Sequence, residues 1–178
     1  MREPVLRRVL LAAARLHGVG AAQGEKSPQK GARKFLMGLA VPPGWSGEEW
    51  ELLATAVRYH RGAEPSAKSG PFSRLNEEQQ TQVRALAGIV RLARTLRKSG
   101  IASGAGIRAE KSPETVVLRI PNLVDDLETA SRLAAGKHLL EEFLEMPLIL
   151  KPAVKPEKQK VVALPAQPPN LELISSSG

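Results

Sequence analysis

The sequence predicts a mainly α-helical fold: a helical bundle followed by a small α/β element of two or three strands and one helix. Apolar residues recur at helical spacing through the first 100 residues, with helix-capping signals between the segments. The periodicity changes near Gly100, where two β-prone segments flank a Ser-Pro-Glu turn. Aromatic residues make up only 3% of the chain, so the core must be built from Leu, Val, Ile and Ala.

Four helices are expected in the first 100 residues, over residues 4–17, 28–39, 47–61 and 77–99. Ser46 and Glu49 have the spacing of a capping box, which places the start of the third helix. Ser27 is expected to cap the second helix, and Asn76 opens the longest one. The segments "GVGAAQGEKSPQKG" and "RGAEPSAKSGPF" are rich in turn residues and are predicted to be loops.

The chain divides into three parts, of which residues 1–100 form the bundle. Residues 101–150 are expected to add a small α/β extension of the same domain: a hairpin in "GIRAEKSPETVVLRI", a helix over 126–145 and a further strand in "PLILKPAV". Residues 151–178 are rich in Pro and Lys and have too little apolar mass to pack, which predicts a disordered tail.

Positive charge is concentrated in the predicted bundle. Residues 1–100 hold 17 Lys and Arg against 8 Asp and Glu, whereas residues 101–150 hold 5 against 8. A strongly basic first half favours polyanionic partners through long-range attraction that salt would screen. The alternative is that these arginines form an ordinary solvated surface.

Part of this charge forms a stripe on the longest predicted helix. Arg84, Arg91 and Lys98 recur every seven residues, and Arg94 follows Arg91 by three. Guanidinium groups repeated on a rigid helix suit phosphate oxygens, because each can donate two parallel hydrogen bonds. A solvent-exposed face supported by the helix dipole, which favours cations near the C-terminus, is the competing interpretation.

Several kinds of chemistry are disfavoured by composition. There is no cysteine, so disulfides, thiolate metal sites and cysteine nucleophiles are absent. No Asp precedes Asp125, which leaves a two-metal hydrolase almost without ligands in the bundle. No Walker-type phosphate loop or Gly-x-Ser-x-Gly elbow occurs. We therefore predict no catalytic residue, metal or cofactor. No apolar run is long enough to cross a membrane, and a cytoplasmic location is expected.

The histidines are the remaining candidates for chemistry. His17 and His60 each end a predicted helix, and His60 lies two turns after Leu53, on the buried face. His138 is expected at the surface. A helix that runs into His-Asp-x-Gly is typical of metal-binding phosphohydrolases, but in "AARLHGVG" the residue after His17 is Gly18, which has no side chain to hold a metal.

Several segments, taken in order, resemble the C-terminal region of the exopolyphosphatase / guanosine pentaphosphate phosphohydrolase family. They are "LLAAARLHGVG", "GWSGEEWELLATAVRYHRGAEP", "VRALAGIVRLARTLRKS" and "ETVVLRI". In that family this region is an HD-domain-like helical module with a small α/β end. The resemblance covers about residues 5–150, and its most specific piece is "AVRYHRGAEP".

The departures from the family pattern bear on function. An HD metal site would have Asp in place of Gly18 and histidines in the loop that reads "EKSPQKG". Where the family often has acidic residues, this chain has Arg94 and Arg97. The resemblance therefore implies that His17, Gly18 and His60 are the remains of an HD site whose metal chemistry has been lost. Such a site would repel a cation and favour a phosphate.

The resemblance also implies that hydrolysis belongs to an actin-like pair of domains ahead of this module. The chain is then either a fragment or truncated relative, which we favour, or a stand-alone module that works with a separate actin-like phosphatase partner. The first hypothesis is a non-catalytic module that binds polyphosphate or a guanosine polyphosphate and can form a homodimer. Its predicted contacts are the stripe on the long helix together with Arg58 and Arg61, which flank His60. The alternatives are an active metal-dependent HD-type phosphohydrolase and a purely structural or protein-interaction domain.

Overall fold

The computed structural model describes residues 3–22, 24–101, 104, 106–123 and 126–153. The predicted fold class is confirmed, because helices dominate and a small sheet follows them. The helices are α1 (Glu3–Leu16), α2 (Val19–Ala22), α3 (Pro28–Met37), α4 (Gly47–Tyr59), α5 (Glu77–Lys98) and α6 (Leu127–Leu144). The strands are β1 (Arg108–Lys111), β2 (Val116–Ile120) and β3 (Leu148–Pro152). Within the described ranges, no helix has the length and apolar character needed to cross a membrane.

Helix α4 is the centre of the bundle, and α1, α3 and α5 pack around it. Its six consecutive residues 52–57 are all buried, so this helix contacts protein on every side rather than along one stripe. The surrounding helices each contribute an apolar face, with Val9 from α1, Leu36 from α3 and Val83 from α5 among the residues that are wholly or almost wholly buried. The position of α4 fixes where its C-terminal residues emerge, which is where the candidate site begins.

The start of α4 is held by the predicted capping box. The Ser46 side chain accepts a hydrogen bond from the Glu49 backbone N–H, and the Glu49 carboxylate accepts one from the Ser46 backbone N–H. Arg8 of α1 donates to the same Glu49 carboxylate and also to the Gly44 carbonyl. This cap therefore also fastens α1 to the start of α4.

The strands confirm the predicted hairpin and the further strand. β1 and β2 are antiparallel, and β3 lies parallel to β2 because α6 carries the chain back between them. Buried residues of α6, including Leu133 and Leu140, pack with Val116 and Ile120 of the sheet in a second core cluster. β3 reaches Pro152, two residues beyond the end expected for the α/β part. The rest of the predicted tail, from residue 154 onward, lies outside the described residues.

Two of the predicted loops contain ordered structure. "GVGAAQGEKSPQKG" holds the one-turn helix α2, where Gly20 packs so closely against α3 that a Cβ would lie 1.9 Å from the Pro28 carbonyl oxygen. "RGAEPSAKSGPF" leads into a 3₁₀ turn over Pro71–Arg74, in which Phe72 is completely buried. The loop predictions were wrong only at α2 and at the 3₁₀ turn, where tertiary packing outweighs the local turn preference of glycine and proline.

Glycines allow α5 and α6 to pack at unusually short distance. A Cβ on Gly88 of α5 would lie 3.1 Å from the Leu140 backbone, and one on Gly136 of α6 would lie 2.6 Å from the Thr95 hydroxyl oxygen. Thr95 cannot easily move away, because it is buried and its hydroxyl donates to the Arg91 carbonyl. This close crossing brings one turn of α6 to the C-terminal half of α5.

We predict that Gly136→Ala destabilises the fold by about 1–3 kcal/mol, because the new methyl group overlaps the Thr95 side chain. Ala in place of Gly stabilises a helix by roughly 1 kcal/mol, so the steric overlap must cost more than this gain for the variant to be less stable. Gly47→Ala in the first turn of α4, where a Cβ meets nothing within 4 Å, is the matched control. Urea unfolding of both variants measures the effect, and a Gly136→Ala protein as stable as the control would contradict it.

Candidate anion-binding site

The fold brings the two candidate histidines together. The rings of His17, after α1, and His60, after α4, have centroids 5.1 Å apart in an edge-to-face arrangement. Each Nδ1 lies against a backbone carbonyl three residues earlier, at 2.8 Å for His17 and 2.6 Å for His60. Because a carbonyl oxygen only accepts hydrogen bonds, Nδ1 carries the proton in both rings. A neutral ring with its proton on Nδ1 has Nε2 left as an acceptor.

His60 is neutral at physiological pH. It is buried, as expected from its place on the inner face of α4. Burial is the main cause that lowers its pKa from 6.5 to about 4; the nearby His17, Arg94 and Arg61 also lower it, and only the hydrogen bond to Val57 opposes the shift. The positive charge of this region therefore comes from arginine and lysine.

A cleft of about 690 Å³ opens beside His60, between the end of α4, the C-terminal half of α5 and one turn of α6. Five cationic side chains line it: Arg61, Arg91, Arg94, Lys98 and Arg132. The other lining residues are His60, Gly62, Thr95, Ala135 and Gly136, so no carboxylate of the described residues lines this cleft. We call it the first cationic cleft. Its composition is that of an anion site.

Arg91 has a structural role in the wall of this cleft. Its guanidinium NH2 group donates to the carbonyls of Tyr59 at 2.9 Å and Gly62 at 3.2 Å, with Ala63 at 3.5 Å. These carbonyls belong to the last residue of α4 and the turn that follows, which have no helical partner. Burial lowers the pKa of Arg91, while the carboxylates of Glu64 and Glu142 oppose that shift. Arg91 thus fastens the end of α4 to α5.

Arg94 also lines the cleft, and its guanidinium group forms no such hydrogen bond to a carbonyl of the described residues. Its pKa is lowered by burial and by the like charges of Arg61 and Arg97. Crowded cations that repel one another are stabilised when an anion binds between them. Arg61, Arg94 and Lys98 are therefore the residues of the predicted set best placed to bind an anion.

The other two predicted contacts lie elsewhere. Arg84 is half-buried, its guanidinium group is 4.8 Å from the centre of the Phe72 ring, and it does not line the first cationic cleft. Arg58 does not form a pair with Arg61 around His60, because it lines a different cleft with residues of α3. Helical spacing places residues on a face, but the neighbouring elements decide which of them share a cavity.

Comparison with known protein families shows which family the chain belongs to. The model described as "Ppx/GppA phosphatase, domain III" matches residues 1–139, more than three quarters of the sequence. The chain belongs to the Ppx/GppA phosphatase family. This confirms the family expected from the sequence, although the match ends inside α6 and does not include β3. No curated protein matches the chain.

In this domain III, the positions assigned to a lost metal site are close together but poor in ligands. Gly18 is exposed, and a Cβ there would meet nothing within 4 Å, so the lack of a side chain is not required by packing. The one group of three potential metal ligands in the described ranges is Glu64, His138 and Glu142, all exposed. It includes neither His17 nor His60. His138 is at the surface, as expected, with its side chain 56% exposed.

Sequence reasoning missed Arg132 and the small residues that let domain III form this cleft. Arg132 lies in α6, where it forms an ion pair with Glu128 one turn earlier. It reaches the cleft only because Gly136 allows α6 to approach Thr95. The run of Ala134, Ala135 and Gly136 was the available signal, since consecutive small residues on a helix permit close packing.

We predict that the buried neutral His60 makes the stability of domain III pH-dependent. Because its folded pKa of about 4 lies below the unfolded value of 6.5, its contribution is present above pH 6.5 and is lost as the pH falls towards 4. From pH 7 to pH 5 the free energy of unfolding of the parent is expected to fall by about 2 kcal/mol more than that of His60→Asn. Asn is chosen because its side-chain amide N–H can still donate to the Val57 carbonyl. Urea unfolding of both proteins at the two pH values measures this, and equal losses would count against it.

Proposed function

We propose that this domain III is a non-catalytic module that binds polyphosphate or a guanosine polyphosphate through the first cationic cleft. The observation that carries the proposal is the cleft lining: Arg61, Arg94, Lys98 and Arg132 line one cavity with no carboxylate of the described residues among them. A phosphate group entering it would replace mutual repulsion by charge-assisted hydrogen bonds. Self-association as a homodimer remains a prediction from the sequence.

Three features support the non-catalytic part of the proposal. Gly18 provides no ligand beside His17, and the two histidines belong to no three-ligand group within the described residues. Arg61 and Arg94 lie close enough to His60 to lower its pKa, so a metal ion there would be repelled as well. In this proposal the histidine pair is part of the wall of an anion site, and hydrolysis belongs to other domains of the family.

We predict that the chain alone hydrolyses no phosphoester or phosphoanhydride at an enzymatic rate. Pyrophosphate, polyphosphate and nucleotides, assayed with Mg²⁺ or Mn²⁺, should give release of phosphate no faster than a protein-free blank. The reason is that no carboxylate of the described residues joins His17 and His60 in a three-ligand group that could hold a metal and activate water. Turnover that disappears in His17→Ala would show that the metal site is still active.

Binding itself is tested by removing two cations that have no backbone partner in the described structure. We predict that Arg94→Gln/Lys98→Gln weakens binding of polyphosphate at low salt by about 100-fold, because each lost charge-assisted contact contributes roughly 1.5 kcal/mol. Arg91 is left in place because it fastens the end of α4. Titration calorimetry with polyphosphate and with guanosine tetraphosphate measures both ligand classes.

The matched control is Arg108→Gln/Lys111→Gln, which removes one arginine and one lysine from the exposed strand β1. We expect this control to change affinity less than threefold, since distant surface charges are largely screened. Affinity of the parent should fall steeply as salt rises, because binding releases counterions condensed on the polyanion. Equal effects of the two double variants would mean that general positive charge, not the cleft, attracts the ligand.

A further inference from the structure

A cluster of three metal-ligating side chains lies at the surface where α6 meets the loop after α4. It comprises Glu64 of that loop and His138 and Glu142 of α6, and one ligand atom of each lies within 4.8 Å of the other two. The His138 Nδ1 atom is 3.4 Å from a carboxylate oxygen of Glu64 and 3.9 Å from one of Glu142. Tetrahedral ligands about 2.1 Å from a metal ion are roughly 3.4 Å from one another. Small rotations of these exposed side chains therefore allow one ion to contact all three.

Two of the three ligands share one side of α6. His138 and Glu142 are four residues apart, so their side chains project from adjacent turns in the same direction. Metal-binding helices place two ligands at this spacing because both can then reach one ion. Glu64 comes from a different element, so an ion bound to all three connects α6 to the loop after α4.

One turn of α5 holds both elements that carry the ligands. Arg91 donates to the carbonyls of the turn that directly precedes Glu64. Three residues earlier in α5, Gly88 packs so closely against α6 that a Cβ would lie 3.1 Å from the Leu140 backbone. Leu140 lies midway between the two ligands of α6. The fold therefore positions the ligands before an ion arrives, which reduces the entropic cost of binding it.

Charge distinguishes this cluster from the pair of histidines that end α1 and α4. Within the ranges that the structure describes, His138 is the only ion-pair partner of either glutamate in the cluster. Both carboxylates raise the pKa of Arg91, whose guanidinium group donates to backbone carbonyls. Two carboxylates against one guanidinium group attract a cation, whereas Arg61 and Arg94 repel one from the histidine pair.

The ligand types indicate which metal ions fit the cluster. An imidazole combined with carboxylates suits Zn²⁺ and neighbouring first-row ions, whereas Mg²⁺ and Ca²⁺ prefer oxygen ligands alone. Three protein ligands at the surface leave the fourth tetrahedral position to water.

We propose that Glu64, His138 and Glu142 bind a divalent transition-metal ion such as Zn²⁺, which links α6 to the loop after α4. Both elements line the first cationic cleft, through Arg132 of α6 and Arg61 of the loop. The ion therefore holds two walls of that cleft together, whatever ligand the cleft binds. This inference departs from the expectation, drawn from the sequence, that the chain holds no metal.

Calorimetric titration of the full chain with ZnCl₂ and with MgCl₂ tests binding. We expect one Zn²⁺ per chain and no binding of Mg²⁺. His138→Gln and Glu64→Gln should each weaken Zn²⁺ binding by about 10-fold or more, because the loss of even an outer partner of a metal ligand has effects of this size. The matched controls are His17→Gln and Glu114→Gln, the latter at an exposed carboxylate between β1 and β2, and both should stay within about twofold of the parent.

Amide hydrogen exchange tests the link between the two elements. At saturating ZnCl₂, exchange in residues 61–64 should slow in the parent. It should not slow in Glu64→Gln, even at a Zn²⁺ concentration that saturates this variant, because the ligands left on α6 do not hold the loop.

The outcomes separate this inference from the proposed function. If the parent binds no Zn²⁺, the inference fails, while anion binding by the first cationic cleft is measured independently. Loss of Zn²⁺ binding in His17→Gln but not in His138→Gln would overturn it, because the ion would then lie at the histidine pair. Unchanged affinity in Glu64→Gln, or equal slowing of exchange in that variant and the parent, would show that α6 binds the ion without the loop.

Discussion

The fastening of the end of α4 by Arg91 is the constraint on which the first cationic cleft depends. A helix end leaves carbonyls without partners, and here one guanidinium group from α5 satisfies those of Tyr59 and Gly62. This fixes the path of the chain through His60 and Arg61, which form a wall of the first cationic cleft.

The close packing of α5 on α6 is the second requirement for the site. A side chain larger than hydrogen at Gly136 would separate the helices and withdraw Arg132 from the cleft. The buried hydroxyl of Thr95 is satisfied within its own helix by the Arg91 carbonyl, so it makes no demand on α6. The cations of the first cleft thus come from α5, from α6 and from the turn after α4, and α5 and α6 approach closely because each has a glycine at their crossing.

Local signals in the sequence predicted the helices and strands well. Contacts between segments that are distant in the sequence were predicted less well. The Ser46–Glu49 capping box and the turn before Val116 depend on residues a few positions apart, so their effect is visible in the sequence. The burial of His60 followed from helical periodicity in the same way. The one-turn helix α2 and the burial of Phe72 depend instead on contacts with distant segments. A short-range sequence pattern carries no information about such contacts.

The candidate site shows the same division. Helical spacing put Arg91, Arg94 and Lys98 on one face correctly, and all three line the first cationic cleft. It could not show that Phe72 attracts Arg84 or that α3 makes a different cleft with Arg58. Arg132 belongs to the site only because α6 packs against α5. The cationic character was therefore predictable, whereas its division into two clefts was not.

Charge around the histidine pair decides which kind of ligand this region of the fold favours. An unprotonated imidazole Nε2 atom can bind a metal ion or accept a hydrogen bond, and nothing in the ring itself chooses between these. A divalent ion about 5 Å from one guanidinium group is repelled by about 7 kcal/mol at an effective dielectric constant of 20, and a phosphate at the same place is attracted. Both Arg61 and Arg94 act on His60, and Gly18 adds no negative charge to offset them. In the proposed function, Arg61 and Arg94 together with the missing side chain at Gly18 are therefore what favours an anion over a cation beside the histidine pair.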